Sequence, residues 1–365
     1  MYYLYFLSQM LFLIILFPVR WTINLIARFL WEPFDFDEKL FKQKEKEDLK
    51  EHYQKIRDRL IKNIETIKTK GDSAKFVGLW VASENTKEAE KLFKSYVKDG
   101  YFLRKPGYPE ENSKSFSGDM WAGYFAGLVS LYYRRAIDEE FKQQLIKAVD
   151  NALFNSPYLQ FKTPNGKGKR GYLLRWFFMN AGHFLPLLSI CEIAYKLTRN
   201  KKYKLLYLAV LPVAFIDILI YPTFFIRFKK LRYSQWYYVH SNFTYYYYLY
   251  KLTGNPIYRY GYEFIYKRFY FNPEFAALTG NKEIAVLFLK DYTHKNKEPV
   301  PVEQIRVKNL KDLIRGKKAD YLEFKKILPS RVIQNDYLWE KPFNEIQYYE
   351  TPLAGIDFIR VYNLL

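Results

Sequence analysis

The passage Tyr195-Lys196-Leu197-Thr198-Arg199-Asn200, followed by Tyr203, returns at an offset of 55 residues as Tyr250-Lys251-Leu252-Thr253-Gly254-Asn255, followed by Tyr258. A shorter echo stands at Leu278-Thr279-Gly280-Asn281. The physical meaning is a helix end. Gly or Asn accepts the left-handed backbone just past the last turn, and a second helix starts at once. Each copy is therefore read as the corner of an αα-hairpin. An earlier stretch fits the same plan. Asp119 to Arg134 reads as one apolar helix, and Asp138 to Phe154 as a two-faced one with Phe141, Leu145, Val149 and Ala152 on one side. Pairs in which one member is apolar all round and the other two-faced imply an inner and an outer helical layer. Gly123 and Gly127 form a G-x-x-x-G pair on the inner member, where it serves close helix packing and needs no membrane.

The start of the chain is of another kind. Tyr2 to Val19 carries no charge and is about long enough to cross a bilayer. No basic residue precedes it and no small-residue cleavage site ends it, so it reads as an uncleaved anchor rather than a signal peptide. Arg20, Trp21, Arg28 and Trp31 follow on an amphipathic stretch suited to the headgroup layer. The positive flank on the C-terminal side favours a cytoplasmic body, with Glu32, Asp35, Asp37 and Glu38 close behind it weakening that bias. Residues 39–70 are rich in Lys and Glu, with Leu49, Tyr53, Ile56, Leu60, Ile64 and Ile67 at helical spacing. They predict an amphipathic helix that carries the chain from the membrane to the body.

Leu205 to Ile226 is a second apolar stretch, with Asp217 its only acid. A span is one reading. Three features favour instead a segment packed in the body or lying on the bilayer. Pro212 and Pro222 are expected to interrupt the helix. Both flanks are basic: Lys201, Lys202 and Lys204 before, Arg227, Lys229, Lys230 and Arg232 after. A span would also put the two repeat copies in different compartments.

Charge is the most specific signal. The chain has 58 Lys and Arg against 38 Asp and Glu, a net charge of +20. Sixteen of those cations and only two acids, Glu192 and Asp217, fall between residues 160 and 262. The same region holds Tyr245 to Tyr248 within a chain that is 20% aromatic. A surface of cations and aromatics suits an anionic lipid headgroup layer or an acidic polysaccharide, and in the third place nucleic acid, for which no binding module is recognisable. Chemistry is bounded by exclusion. Cys191 is the only cysteine and there are four histidines, so a thiolate zinc site is excluded, no metal ligand set is legible and no cofactor motif is met. Gly166 to Gly171 lacks the spacing of a phosphate loop.

The L-T-G-N corners, together with Ser117-Gly118-Asp119 at the head of an inner helix, resemble the six-hairpin (α/α) toroid glycosidases and polysaccharide lyases. Asp336 to Phe343 and Gly355-Ile356-Asp357-Phe358 look like segments that close such rings, and the resemblance runs from about Phe76 to Leu365. Four hairpins are countable. The resemblance implies a ligand bowl ringed by the ends of the inner helices, with Asp119 as a general acid or base on a sugar. Its bland reading is a first-turn acid beside the N-cap Ser117. His183 and His240 each precede a helix of the repeat and are candidates to line the same bowl and move protons; a histidine among aromatics is more often a hydrogen-bonded structural residue. Lys169, Arg170, Arg175, Trp236, Tyr237 and Trp339 are the candidate binding residues.

The sequence thus predicts a mainly α protein. Residues 1–31 form a membrane anchor and interfacial helix, 32–75 a charged connecting helix, 76–298 a toroid-like hairpin core and 299–365 a closing segment. Two functions stay open. One is an enzyme of the glycoside hydrolase or polysaccharide lyase kind acting on an acidic glycan or glycolipid. The other is a noncatalytic membrane-associated protein that binds anionic lipid. The sequence leaves the oligomeric state open.

Overall fold

The computed structural model describes residues 49–70, 73–107, 116–155, 159, 161, 184–220, 236–268, 273–281, 285 and 355–365. The protein is mainly helical. Its helices, in chain order, are α1 Leu49–Lys62, α2 Ile64–Lys68, α3 Ser73–Ser83, α4 Lys87–Lys94, α5 Gly118–Arg134, α6 Glu139–Leu153, α7 Leu185–Thr198, α8 Lys201–Ile220, α9 Trp236–Thr253, α10 Pro256–Arg268, α11 Pro273–Leu278 and α12 Ile356–Leu364. Between α4 and α5 lies a two-stranded hairpin, β1 Val97–Lys98 and β2 Tyr101–Phe102. Its turn is Asp99-Gly100, both at positive φ (54° and 83°), the pairing that a tight two-residue hairpin requires.

Four helix pairs follow one another among the described residues: α3–α4, α7–α8 and α9–α10, whose members pack on each other, and α5–α6, whose second helix packs on α7 and the β-hairpin. In each, the first helix is buried over most of its length. Ser73 to Val81 of α3, Leu185 to Ala194 of α7 and His240 to Leu249 of α9 are buried without a break. The second helix is two-faced. On α6 the buried residues are Phe141, Leu145, Ala148, Val149, Ala152 and Leu153; on α8 they are Tyr203, Tyr207, Val210 and Ala214. The apolar-plus-two-faced pairing read from the sequence is therefore an inner and an outer layer.

The corners repeat atom for atom. Thr198 Oγ1 donates to Ala194 O at 2.8 Å, Asn200 N donates to Thr198 Oγ1 at 3.1 Å, and Asn200 Oδ1 accepts from Lys202 N at 3.0 Å. In the second copy Thr253 Oγ1 donates to Leu249 O at 2.7 Å, Asn255 N to Thr253 Oγ1 at 3.1 Å, and Ile257 N to Asn255 Oδ1 at 3.1 Å. Thr closes one helix and Asn caps the next. The left-handed residue is the one between them: Arg199 at φ 59° in the first corner and Gly254 at φ 68° in the second. That corrects the expectation that Gly or Asn must fill this position. Arg199 is exposed, and the hydrogen bonds on either side of it hold the conformation that an L side chain disfavours.

The inner helices run in one direction. Lys75 and Gly78 of α3 lie against Gly123 and Gly127 of α5 in matching order. Tyr245 of α9 donates through its hydroxyl to Gly118 O at the head of α5, and Tyr133 near the end of α5 donates to Lys251 O near the end of α9 at 2.5 Å. Trp121 Nε1 donates to Ser189 Oγ at 2.8 Å, which brings the heads of α5 and α7 together. The helix α5 thus packs on α3, α7 and α9. The glycines of its G-x-x-x-G make the close α3 crossing possible, because only a residue without Cβ lets the two backbones touch.

At the other edge, α12 packs on α1, α3 and α11 and so joins the end of the chain to the beginning of the described body. Tyr53 of α1 stacks on Tyr362 at 4.4 Å between ring centroids. The helix expected over 39–70 is present from Leu49 and divides at Asn63. Its Ile56, Leu60 and Ile67 are core residues, so this part of the chain belongs to the body rather than only leading to it.

Helix α8 continues through Pro212, against the expected interruption. Pro212 and Leu208 are both exposed, so the carbonyl left at Leu208 by the missing proline N–H lies on the outer side of the helix and is not sealed in the protein core. Among the described residues no helix is long and apolar enough to cross a membrane. The expected anchor, residues 2–19, lies outside the described residues.

Candidate functional site

Asp119 stands in the first turn of α5, half-buried, between the buried Gly118 and Met120. Ser117 occupies the N-cap with extended backbone and Asp119 the first turn, the positions of the bland reading, but Ser117 makes no side-chain cap bond. The head of α5 is wedged among its neighbours. Tyr245 holds the Gly118 carbonyl from α9, and Pro186 at the head of α7 stands 3.6 Å from where a Gly118 Cβ would be. Among the described residues no ion pair engages the Asp119 carboxylate.

His240 lies on α9, five residues before Tyr245, a rise of roughly 7.5 Å along the helix. Asp119 and His240 therefore sit on adjacent, parallel inner helices near the same end. Their surroundings differ. His240 is 1% exposed, and its Nε2 is 2.6 Å from Glu274 Oε2 on α11. Burial pushes the imidazole pKa below its ordinary value, with the Glu274 carboxylate pulling the other way and Lys75 adding to the depression. A carboxylate oxygen accepts, so in this contact His240 donates its Nε2–H. Its ring stacks on Phe275, and Phe275 on Phe243 at 3.9 Å.

Glu274 is the hub. Its second oxygen, Oε1, accepts from Arg360 Nε on α12. Arg360 Nη2 donates to Tyr248 Oη at 3.0 Å and Nη1 reaches Ser83 Oγ at 3.4 Å. Glu274 and Arg360 are 2% and 1% exposed. Burial raises the Tyr248 phenol. One carboxylate with a guanidinium on one oxygen and an imidazole on the other forms a single buried network, and it ties α3, α9, α11 and α12 together. Sequence reading missed Glu274 and Arg360. Arg360 had a usable signal: it is the lone cation in Ile356 to Val361, where Ile356, Phe358, Ile359 and Val361 are apolar. Glu274 had none, because an acid after a helix-opening proline is an ordinary first-turn residue.

The described part of the basic region lies at the corners. Lys196 and Lys204 flank the buried Glu192 at 3.7 and 3.2 Å, so Glu192 is a paired structural acid. Lys202 pairs with Asp150 at 2.8 Å, and Arg259 with Glu263 at 2.7 Å. These corners close the far ends of α7 and α9. They stand at the opposite end of the inner helices from Asp119 and His240, so this part of the cationic surface and the candidate acid do not form one site. The segments 162–183 and 221–235 lead into the heads of α7 and α9, and carry nine Lys and Arg and no acid.

His183, Lys169, Arg170, Arg175 and Trp339 lie outside the described residues. Trp236 and Tyr237 form the first turn of α9, and their side chains are outside the description. Cys191 is fully buried, and burial drives its thiol pKa far up, so it is no nucleophile. Among the described residues no group of three or more His, Cys, Asp or Glu is arranged to hold a metal ion. No family model matches the sequence, no curated protein matches it, and no solved structure matches the fold.

Proposed function

We propose that the chain is a membrane-anchored protein with a toroid-like ring of helical hairpins, acting on an acidic glycan or glycolipid with Asp119 as its general acid or base. One observation carries the reading. Asp119 stands, without an ion-pair partner among the described residues, at the end of the parallel inner helices into which the two acid-free cationic segments lead. An anionic sugar is drawn to such an end by long-range attraction, and a half-buried carboxyl is placed to exchange a proton with it. The single direction of the inner helices and the repeated Thr–Asn corners support the toroid-like part.

His240 enters this reading as a positioning residue. Its Nε2 is committed to Glu274, and the network fixes the head of α11 and the body of α9 around the site. That same burial favours the second reading, a noncatalytic protein that binds anionic lipid. Of the two described proton-moving candidates, only Asp119 reaches the surface.

The test is binding of the full chain, reconstituted in detergent, to uronic-acid oligosaccharides and to neutral oligosaccharides of the same length. The reading expects selective binding of the acidic ligand that weakens with rising salt. Equal binding of both, or of neither, contradicts it.

A further inference from the structure

Four large apolar side chains are strongly exposed among the described residues, and three gather around the first half of α8: Leu205 at 67%, Leu208 at 49% and Phe154 at 40%. Phe154 ends α6 and lies against Tyr203, with Lys202 Nζ 4.9 Å above its ring. On α8 the exposed residues are Lys201, Lys202, Leu205, Leu208, Ala209 and Pro212, and the buried ones Tyr203, Tyr207, Val210 and Ala214. At about 100° per residue the exposed set falls within one arc of roughly 120°, opposite the buried set. One side of α8 is thus packed on α7 and α10, and the other is an apolar stripe headed by lysines.

We propose that the outer face of α8 lies in the interface of an anionic bilayer, with Leu205, Leu208 and Pro212 at the acyl boundary and Lys201, Lys202 and Arg199 at phosphate level. The charge arrangement selects this occupant. Leucines on one face with cations and an aromatic ring at one end match the layering of a headgroup region. An aqueous surface gives no return for leucines this exposed. The sequence keeps the register apolar beyond the proline, through Phe215, Ile216 and Leu219. The contact is distinct from the Asp119 end of the body. It rests on the reading that the protein is held at a membrane, and adds which face meets the lipid.

The experiment uses the single native cysteine's burial. Leu208→Cys in the full chain gives one accessible thiol for an NBD fluorophore, with Glu88→Cys on the exposed side of α4 as the control position. Both are reconstituted into vesicles of phosphatidylcholine and phosphatidylglycerol, with and without a lipid carrying a spin label just below the headgroup. The proposal expects blue-shifted emission at position 208 that is lost to the spin-labelled lipid, and aqueous emission at position 88. Aqueous emission at 208 overturns it. So does a blue shift untouched by the spin label, which means that protein covers the face, a second copy if the unlabelled L208C chains also cross-link and a segment of the same chain if they do not. Failure here with acidic-glycan binding intact removes the α8 contact and leaves the functional reading standing.

Discussion

Gly78 and Gly123 meet backbone to backbone where α3 crosses α5: a Cβ on Gly78 would stand 2.1 Å from the Gly123 carbonyl oxygen, and one on Gly123 2.1 Å from that of Lys75. Neither obstacle is a flexible side chain, so the helices must part to admit a methyl group. Gly123→Ala is expected to cost about 3 kcal/mol or more, at the upper end of overpacking. Gly254→Ala meets nothing within 4 Å and bears only its φ of 68°. It should cost about 1 kcal/mol. Denaturant unfolding of the two variants in detergent checks the order; equal losses would remove the close crossing from the account.

The Arg360–Glu274 pair predicts how the end of the chain is held. Arg360→Met leaves the Glu274 carboxylate buried without its cation, a loss of about 3–5 kcal/mol. Glu274→Gln with Arg360→Met removes both charges and should recover part of that loss. Unfolding of the single and double variants measures the coupling, and additive losses would contradict a shared network.

Stability should fall on the acid side because of His240. Its folded pKa lies below the ordinary value of 6.5, so below about pH 6.5 the unfolded chain binds a proton that the native state refuses. The native state is therefore favoured fully above that pH and loses ground as pH falls toward the depressed value, by at most about 1.4 kcal/mol per pH unit from this group. His240→Gln, which keeps a donor for Glu274, should flatten the unfolding free energy between pH 6.5 and the acid limb. An unchanged slope would mean that other groups set it.

Orientation has its own test. A tag after Leu365, protected from protease in intact cells and in spheroplasts until the membrane is broken, is the outcome expected from the positive flank of residues 2–19. Cleavage from outside would place the body beyond the membrane and make an extracellular polysaccharide the leading substrate.

The corners were legible because the determinants are local. Thr198, Asn200, Thr253 and Asn255 act within a few residues of themselves, and their spacing alone announces the hydrogen bonds they make. The two-faced character of α6 was legible for the same reason, since Phe141, Leu145, Val149 and Ala152 recur at the helical period. The His240 network was not. Glu274 and Arg360 lie 86 residues apart and meet only when α11 and α12 dock, a relation with no periodic or local trace. His240 alone gave a candidate without its partners, so the sequence left it open between a bowl-lining proton mover and the hydrogen-bonded residue among aromatics that it is. Pro212 misled because the cost of a proline in a helix is greatest where the freed carbonyl is sealed in the core, and α8 carries its proline on the exposed side.

Replacing Asp119 by Asn in the full chain, and following both binding and turnover of an acidic oligosaccharide, tests the central claim most directly. The substitution keeps the size of the side chain and removes the exchangeable proton of the carboxyl group. The account predicts that binding persists while turnover falls by about 100-fold or more, the usual range for loss of a general acid or base. Turnover retained in full would take Asp119 out of the mechanism and contradict the account.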